Sequence, residues 1–253
     1  MFSMIKTPAF VIKKFDFREY DRTYIVYTKE LGKISLLARG ARRIKSKLAP
    51  NLENFDEVKV NFIKGRIFNH LAGASTIARN NYILNNGNKI SFAYDCLNLL
   101  DRFVKPEERD DSIYDLVREV LPIIDKENEI NFPKIQIYFF WKLIDLLGYR
   151  PQLDSCALCG FTLNYFKGET PEQQVPPLRV RGGQEGLDSD KLDLFFNITD
   201  NIIICRKCAG QGILIKEDTL KKLREVFRLS LNEFLEFDLD NQLIGITNKA
   251  KQI

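Results

Sequence analysis

The sequence predicts an α+β multidomain chain in which a small antiparallel β unit comes first, an α-helical domain follows, and a loop-rich, cysteine-bearing insertion interrupts the helices. Three observations predict it. Residues 8–77 alternate short β-branched and aromatic runs with turn residues. After Arg79 the apolar spacing changes to the helical period. Four of the five cysteines fall in a Pro- and Gly-rich stretch between two helical patterns. At 253 residues and 45% hydrophobic content the chain can fill more than one core.

The first strands read AFVIKKF, TYIVYTK and KISLLAR, and Glu30-Leu31-Gly32 joins the second to the third as a tight hairpin. DEVKVNFI alternates, with Val58, Val60 and Phe62 on one face and Lys59 and Asn61 on the other. Lys64-Gly65-Arg66 then turns the chain into a fifth strand, IFNHLAGASTI. Five strands in so short a segment, with a longer connection after the third, fit a closed barrel of the OB type better than an open sheet with exposed edges.

Ile83 to Phe103 carries Ile90, Phe92, Cys96, Leu97, Leu100 and Phe103 at helical spacing, and SIYDLVREVLPII repeats the pattern with Ser112 as N-cap. A strongly apolar helix runs from Pro133 to Gly148, and a last one from Asp218 to Phe237 has Leu220, Leu223, Phe227, Leu231, Phe234 and Leu235 on one stripe. Phe139, Phe140, Trp141 and Cys96 read as core. The expected divisions are 1–80 for the barrel, 81–150 for the first helices, 151–212 for the insertion, and 213–253 for the last helix and a tail.

In the insertion, Cys156 and Cys159 are followed, 45 residues later, by Cys205 and Cys208. Two C-x2-C pairs offer four thiolates at tetrahedral geometry, the donor set of a structural Zn2+ ion with a closed coordination sphere. Redox C-x-x-C pairs or unliganded cysteines are the other readings. The intervening length is long for a zinc ribbon, but loop closure cost grows slowly with length. No run of 18 apolar residues occurs and MFSMIKTPAF lacks a secretory h-region, so a cytoplasmic protein is expected, whose cysteines stay reduced.

Charge is divided unevenly. The first 80 residues hold 16 Lys+Arg against 7 Asp+Glu, and the remainder is net acidic. ARGARRIKSK alone carries Arg39, Arg42, Arg43, Lys45 and Lys47. Catalysis has little to work with: His70 is the sole histidine, which excludes most triads and His-rich metal chemistry. Gly40 to Ser46 lacks the second glycine of a phosphate loop, and Glu107, Glu108, Asp110 and Asp111 read as solvated charge. The remaining classes are a nucleic-acid binder and an adaptor. Lys13, Lys14, Arg22, Arg39, Arg42, Arg43, Lys45, Lys47, Lys64 and Arg66, with rings at Phe15, Phe17, Tyr20, Tyr24 and Tyr27, supply the cations and stacking surfaces with which OB barrels bind single strands. An RNA-binding OB protein with zinc is the alternative.

The stretch AFVIKKFDFREYDRTYIVYTKELGKISLLARGARRIKSKLAPNLENF, the KGR before the fifth strand, and LLGYRPQLDSCALCG at the end of a helix resemble the bacterial RecO family. The likeness extends over nearly the whole chain. It implies an OB domain, a helical domain and a zinc finger without enzymatic turnover. It further implies binding of ssDNA and dsDNA, annealing of strands coated with single-strand-binding protein, and, with RecR, loading of RecA in the RecF pathway at the nucleoid. Relatives place arginines near the start of the helix before LLGY, where the tail of single-strand-binding protein docks. Here Ile137 and Tyr138 occupy that region, with Lys134 and Lys142 beside them.

Overall fold

Five strands close on themselves at the start of the chain. β1 (Met4–Phe17), β2 (Asp21–Thr28), β3 (Gly32–Ala38), β4 (Glu57–Ile63) and β5 (Asn69–Ala78) pair in the order β1-β2-β3-β5-β4, and β4 returns to β1. Every pairing is antiparallel except β3 with β5, which run parallel through Leu36–Asn69 and Leu37–His70. This is the expected barrel. The period-two reading holds on β4, where Val58, Val60 and Phe62 join Val11, Val26 and Leu36 in the core while Lys59 is exposed. The computed structural model describes residues 4–46, 48–161, 194–209 and 212–252, so Lys47 lies outside the described residues.

Two turns of the barrel require glycine. Gly32 has φ +65°, and a Cβ on it would lie 2.0 Å from the Glu108 carbonyl oxygen. A Cβ on Gly65 would lie 2.2 Å from the Phe68 carbonyl oxygen, so the 64–68 turn folds tightly over that residue. The fifth strand consequently begins at Asn69 rather than Ile67, and Ile67 and Phe68 stand out of the ladder as exposed turn residues.

Helices pack beside the barrel in the same unit, which comprises Met1–Gly148 and Leu229–Phe237. The pattern from Ile83 to Phe103 forms two helices, α1 (Asn81–Leu84) and α2 (Gly87–Phe103). The Asn86 side chain restarts the second by accepting from the backbone N–H groups of Asn88 and Lys89. α3 (Asp111–Lys126) is capped by Asp110, not Ser112: its Oδ1 accepts from Ser112 N at 2.8 Å and Ile113 N at 3.3 Å. The carboxylate also places charge at the positive end of the helix. α4 (Phe132–Leu146) is followed by Gly148 at φ +80°, and Phe139, Phe140 and Trp141 are buried, as is Cys96 on α2. Phe10 of β1 meets Tyr114 of α3 at a ring distance of 5.0 Å, and the Tyr114 hydroxyl donates to Glu57 Oε1 at 2.8 Å.

The second unit comprises Tyr149–Arg228 and Asp238–Ile253. β6 (Leu194–Asn197) lies between β7 (Ile202–Cys205) and β8 (Ile213–Ile215) in an antiparallel sheet that the composition of the insertion does not announce. The last apolar stripe is two helices, α5 (Glu217–Arg228) in this unit and α6 (Leu231–Leu235) in the first. Ser230 and Glu233 form a capping box that starts α6 anew, Ser230 N donating to Glu233 Oε2 at 2.8 Å. α6 then packs on α4, with Phe234 and Tyr138 ring centroids 6.0 Å apart. The expected tail contains α7 (Asn241–Ala250): Asp240 caps it, and Leu243, Ile246, Thr247 and Ala250 form a buried stripe. Among the described residues no helix is long and apolar enough to cross a membrane.

Candidate nucleic-acid interface and metal centre

The basic segment after β3 is a hydrogen-bonded loop. Gly40 N donates to Asp21 Oδ1 at 2.9 Å, Arg42 N to Tyr20 O at 3.0 Å, and Ser46 N to Arg43 O at 2.8 Å. The first two bonds tie it to the β1–β2 turn, where Arg18 adopts φ +56°. Arg42 strengthens the tie, because its guanidinium donates to the Arg18 and Glu19 carbonyls at 3.2 and 3.0 Å and lies 3.3 Å from Asp16. Arg43 covers the Tyr20 ring at 5.1 Å.

The ten predicted cations therefore separate into classes. Lys13 pairs with Asp101 and Lys14 with Glu53, each at 2.7 Å. Arg22 pairs with Asp16 at 2.9 Å, and burial, which lowers its pKa, is outweighed by hydrogen bonds to Asp16 and Tyr24 that raise it. Lys64 faces Glu107 at 3.8 Å with both side chains well exposed. Among the described residues no carboxylate lies within ion-pair distance of Arg39, Arg43, Lys45 or Arg66, and all four are exposed. Of the predicted rings, Tyr24 and Tyr27 are core, Phe17 is half-buried, and Phe15 and Tyr20 are exposed.

Arg39 and Arg66 meet across a cleft of about 300 Å³ lined also by Phe17, Arg18, Phe68 and His70. The Arg18 guanidinium lies 5.2 Å from the Phe17 ring centre, and Phe17 and Phe68 are 5.8 Å apart at 54°. His70, expected to be superficial or satisfied, is half-buried with Nδ1 lacking a partner among the described residues.

In the second unit, the sulfurs of Cys156, Cys159, Cys205 and Cys208 all lie within 4.8 Å of one another. A metal bound by four sulfurs at about 2.3 Å in a tetrahedron sets them ~3.8 Å apart, and Cys159 Sγ lies 3.7 Å from Cys205 Sγ. The two knuckles are locked by Gly160 N donating to Cys156 O at 2.9 Å and Cys208 N to Cys205 O at 3.0 Å. Burial opposes ionisation of the Cys156 thiol, but N–H groups of Cys205, Cys159 and Leu158 hold it down at about 6. Cys208 is pushed up to about 12, first by its hydrogen bond to Cys159 and then by burial. One thiolate thus forms readily and its neighbours resist a second charge, a resistance that a bound cation reverses. The donor set and spacing fit such an ion.

Residues 1–79 match the family model described as Recombination protein O N terminal, and residues 84–194 match Recombination protein O C terminal. The chain belongs to the RecO family. The DNA repair protein RecO of Listeria monocytogenes serotype 4a is 27% identical over 252 residues, covering 98% of this chain and 86% of that protein. The protein of the same name from Alkaliphilus metalliredigens is 29% identical over 95% of this chain and 91% of its own length. The one from Geobacter metallireducens is 28% identical over 62% and 64%.

Within this RecO chain, sequence reading missed Arg18 and Phe68. Arg18 lies outside the basic segment and enters the cleft only through the β1–β2 turn. Phe68 looks like a strand residue until the close approach over Gly65 displaces it. The signal available was the KGR-I-F run, in which a glycine flanked by two cations precedes two large apolar residues.

Proposed function

We propose that this chain is a non-enzymatic recombination mediator that binds ssDNA and dsDNA through the barrel and anneals complementary strands. With RecR it helps load RecA on DNA coated with single-strand-binding protein. On this reading residues 1–80 are the DNA-binding domain, 151–212 the zinc-holding insertion, and 81–150 with 213–253 the helical part, in a cytoplasmic, nucleoid-associated protein.

The observation that carries the reading is the set of exposed cations around Arg39 and Arg66 that lack anionic partners among the described residues, gathered beside exposed rings. Phosphates supply the missing counter-charge, and releasing their condensed counterions drives binding. A cationic surface also lowers the repulsion between two phosphate backbones and so raises the rate at which complementary strands meet. Base pairing then provides the sequence recognition. Lys45 and Arg43 extend the surface along the loop, while Lys13, Lys14, Arg22 and Arg42 act chiefly by shaping it through their own partners.

Cys156, Cys159, Cys205 and Cys208 would hold one Zn2+ ion, which supplies no chemistry beyond fixing the two knuckles. For the tail of single-strand-binding protein, Ile137 and Tyr138 are buried and Lys134 donates to Leu235 O at 2.5 Å. Lys142, over the Tyr138 ring at 5.2 Å, is the cation on α4 that such a tail would meet.

The test is annealing of complementary oligonucleotides, with and without single-strand-binding protein, by the wild type and by Arg39→Ala/Arg66→Ala. The double variant should anneal more slowly, and the slope of its binding constant against salt should fall by about 2. Failure of the wild type to anneal, or a preference for structured RNA, would sink the reading.

A further inference from the structure

We infer that the cleft between the β1–β2 and β4–β5 turns seats one unstacked nucleotide of a single DNA strand, its base on the Phe68 ring and its phosphates on Arg18, Arg39 and Arg66. The inference rests on the DNA-binding reading above and assigns that surface a specific occupant.

The cleft's shape comes first. At about 300 Å³ it is at the small end of ligand pockets and has no room for stacked base pairs. Its rings are unequal. Phe17 is half-buried and carries the Arg18 guanidinium, whereas Phe68 is 41% exposed and is braced by Phe17 at 5.8 Å. An exposed ring held by its neighbour is an apolar surface ready to be covered at little cost in side-chain entropy. The backbone fixes its position, because the turn is folded over Gly65 with no space for a side chain there.

Charge identifies the occupant. Three arginines line a cleft in which the carboxylate of Asp21 is already engaged by Gly40 N–H at 2.9 Å. Guanidinium groups match phosphate oxygens in planar, two-pronged geometry. An anion with a flat apolar body satisfies both the ring and the cations, and a nucleotide is that molecule. Duplex DNA offers the same phosphates, but its base faces are buried in the stack. Arg39 and Arg66 therefore act on both forms of DNA, and Phe68 acts on single strands alone.

The experiment measures equilibrium binding of the full chain, at fixed salt, to three probes of equal length: oligothymidylate, the same strand with abasic sites throughout, and a duplex. Phe68→Ala should weaken binding to oligothymidylate by about 5- to 150-fold. Binding to the abasic strand and the duplex should change less than about twofold, and Phe68→Trp should retain the preference for bases. Equal losses on all three probes would assign Phe68 a folding role and overturn the inference, as would an unchanged affinity for oligothymidylate. If Arg39→Ala/Arg66→Ala alters none of the three, the DNA-binding reading itself fails. If it weakens all three while Phe68→Ala is silent, only the nucleotide seat fails.

Discussion

The barrel and the cysteine-bearing sheet are both small antiparallel structures, yet they are held together differently. The barrel encloses thirteen buried residues, from Ala9 to Leu71, all of them apolar or aromatic. Around the quartet the corresponding cluster is Cys156, Ile204 and Cys205, so two of its three buried members are thiols. Leu194, Phe196, Ile203 and Ile215 are buried elsewhere on that sheet, so it is the two knuckles, not the sheet, that have few buried apolar neighbours, whereas the barrel's strands close on an apolar core. The difference lies in what is buried: apolar side chains leave the barrel's surface free to carry charge, whereas in the other region two of the thiols are themselves part of the buried cluster.

The sharpest way to break this contrast is to take away the ion that the quartet is proposed to hold. Structural zinc contributes an apparent ~10–16 kcal/mol in isolated fingers, and Ile204, the one buried apolar side chain clustered with the thiols, offers little in its place. Cys205→Ser or prolonged chelation should reduce bound zinc from one per chain to near zero and open the knuckles at 156–159 and 205–208 to protease, leaving the barrel's strand signal in place. Unchanged zinc content in Cys205→Ser would end the quartet assignment. A barrel that melts together with the sheet would end the contrast itself. The converse perturbation is Phe62→Ala, which deletes a ring 1% exposed at the barrel centre. A cost of about 3–5 kcal/mol is expected, read from chemical denaturation, with zinc content unchanged.

The two regions also differed in how far the sequence could be read. Alternation at Val58, Val60 and Phe62 located the barrel because a strand with one buried face must show it. The C-x2-C pairs located the quartet because ligand spacing is local. The turn at Lys64-Gly65-Arg66 was legible but its length was not, since the run does not say that the Phe68 carbonyl will approach Gly65 and delay the strand to Asn69. The division of the last apolar stripe at Ser230 was hidden because Leu231 and Phe234 keep the helical period across the break, and only the Ser230–Glu233 box marks it. Pairing of cations was the least legible feature. Lys13 finds Asp101 across 88 positions and Lys14 finds Glu53 across 39, separations at which a count of charges says nothing about partners.

That pairing yields the smallest effect and separates cations that shape the barrel from those that face outward. Asp101 receives Lys13 Nζ at 2.7 Å and Lys33 Nζ at 3.2 Å. Burial works against ionisation of its carboxyl, but the two ammonium groups outweigh it and hold the pKa below the usual carboxylate value. Because the folded pKa is the lower one, the stabilisation is complete above the unfolded value, near about 4. It is lost as pH falls through the folded value, where both states bind the proton. Asp101→Asn should therefore cost about 1 kcal/mol at neutral pH, a modest figure because both Lys13 and Asp101 are partly exposed. The penalty should shrink on acidification, so that denaturation curves of the two proteins converge below pH of about 4. A constant difference across pH would show that the asparagine disturbs packing alone. Lys13 would then return to the cations available to a phosphate backbone.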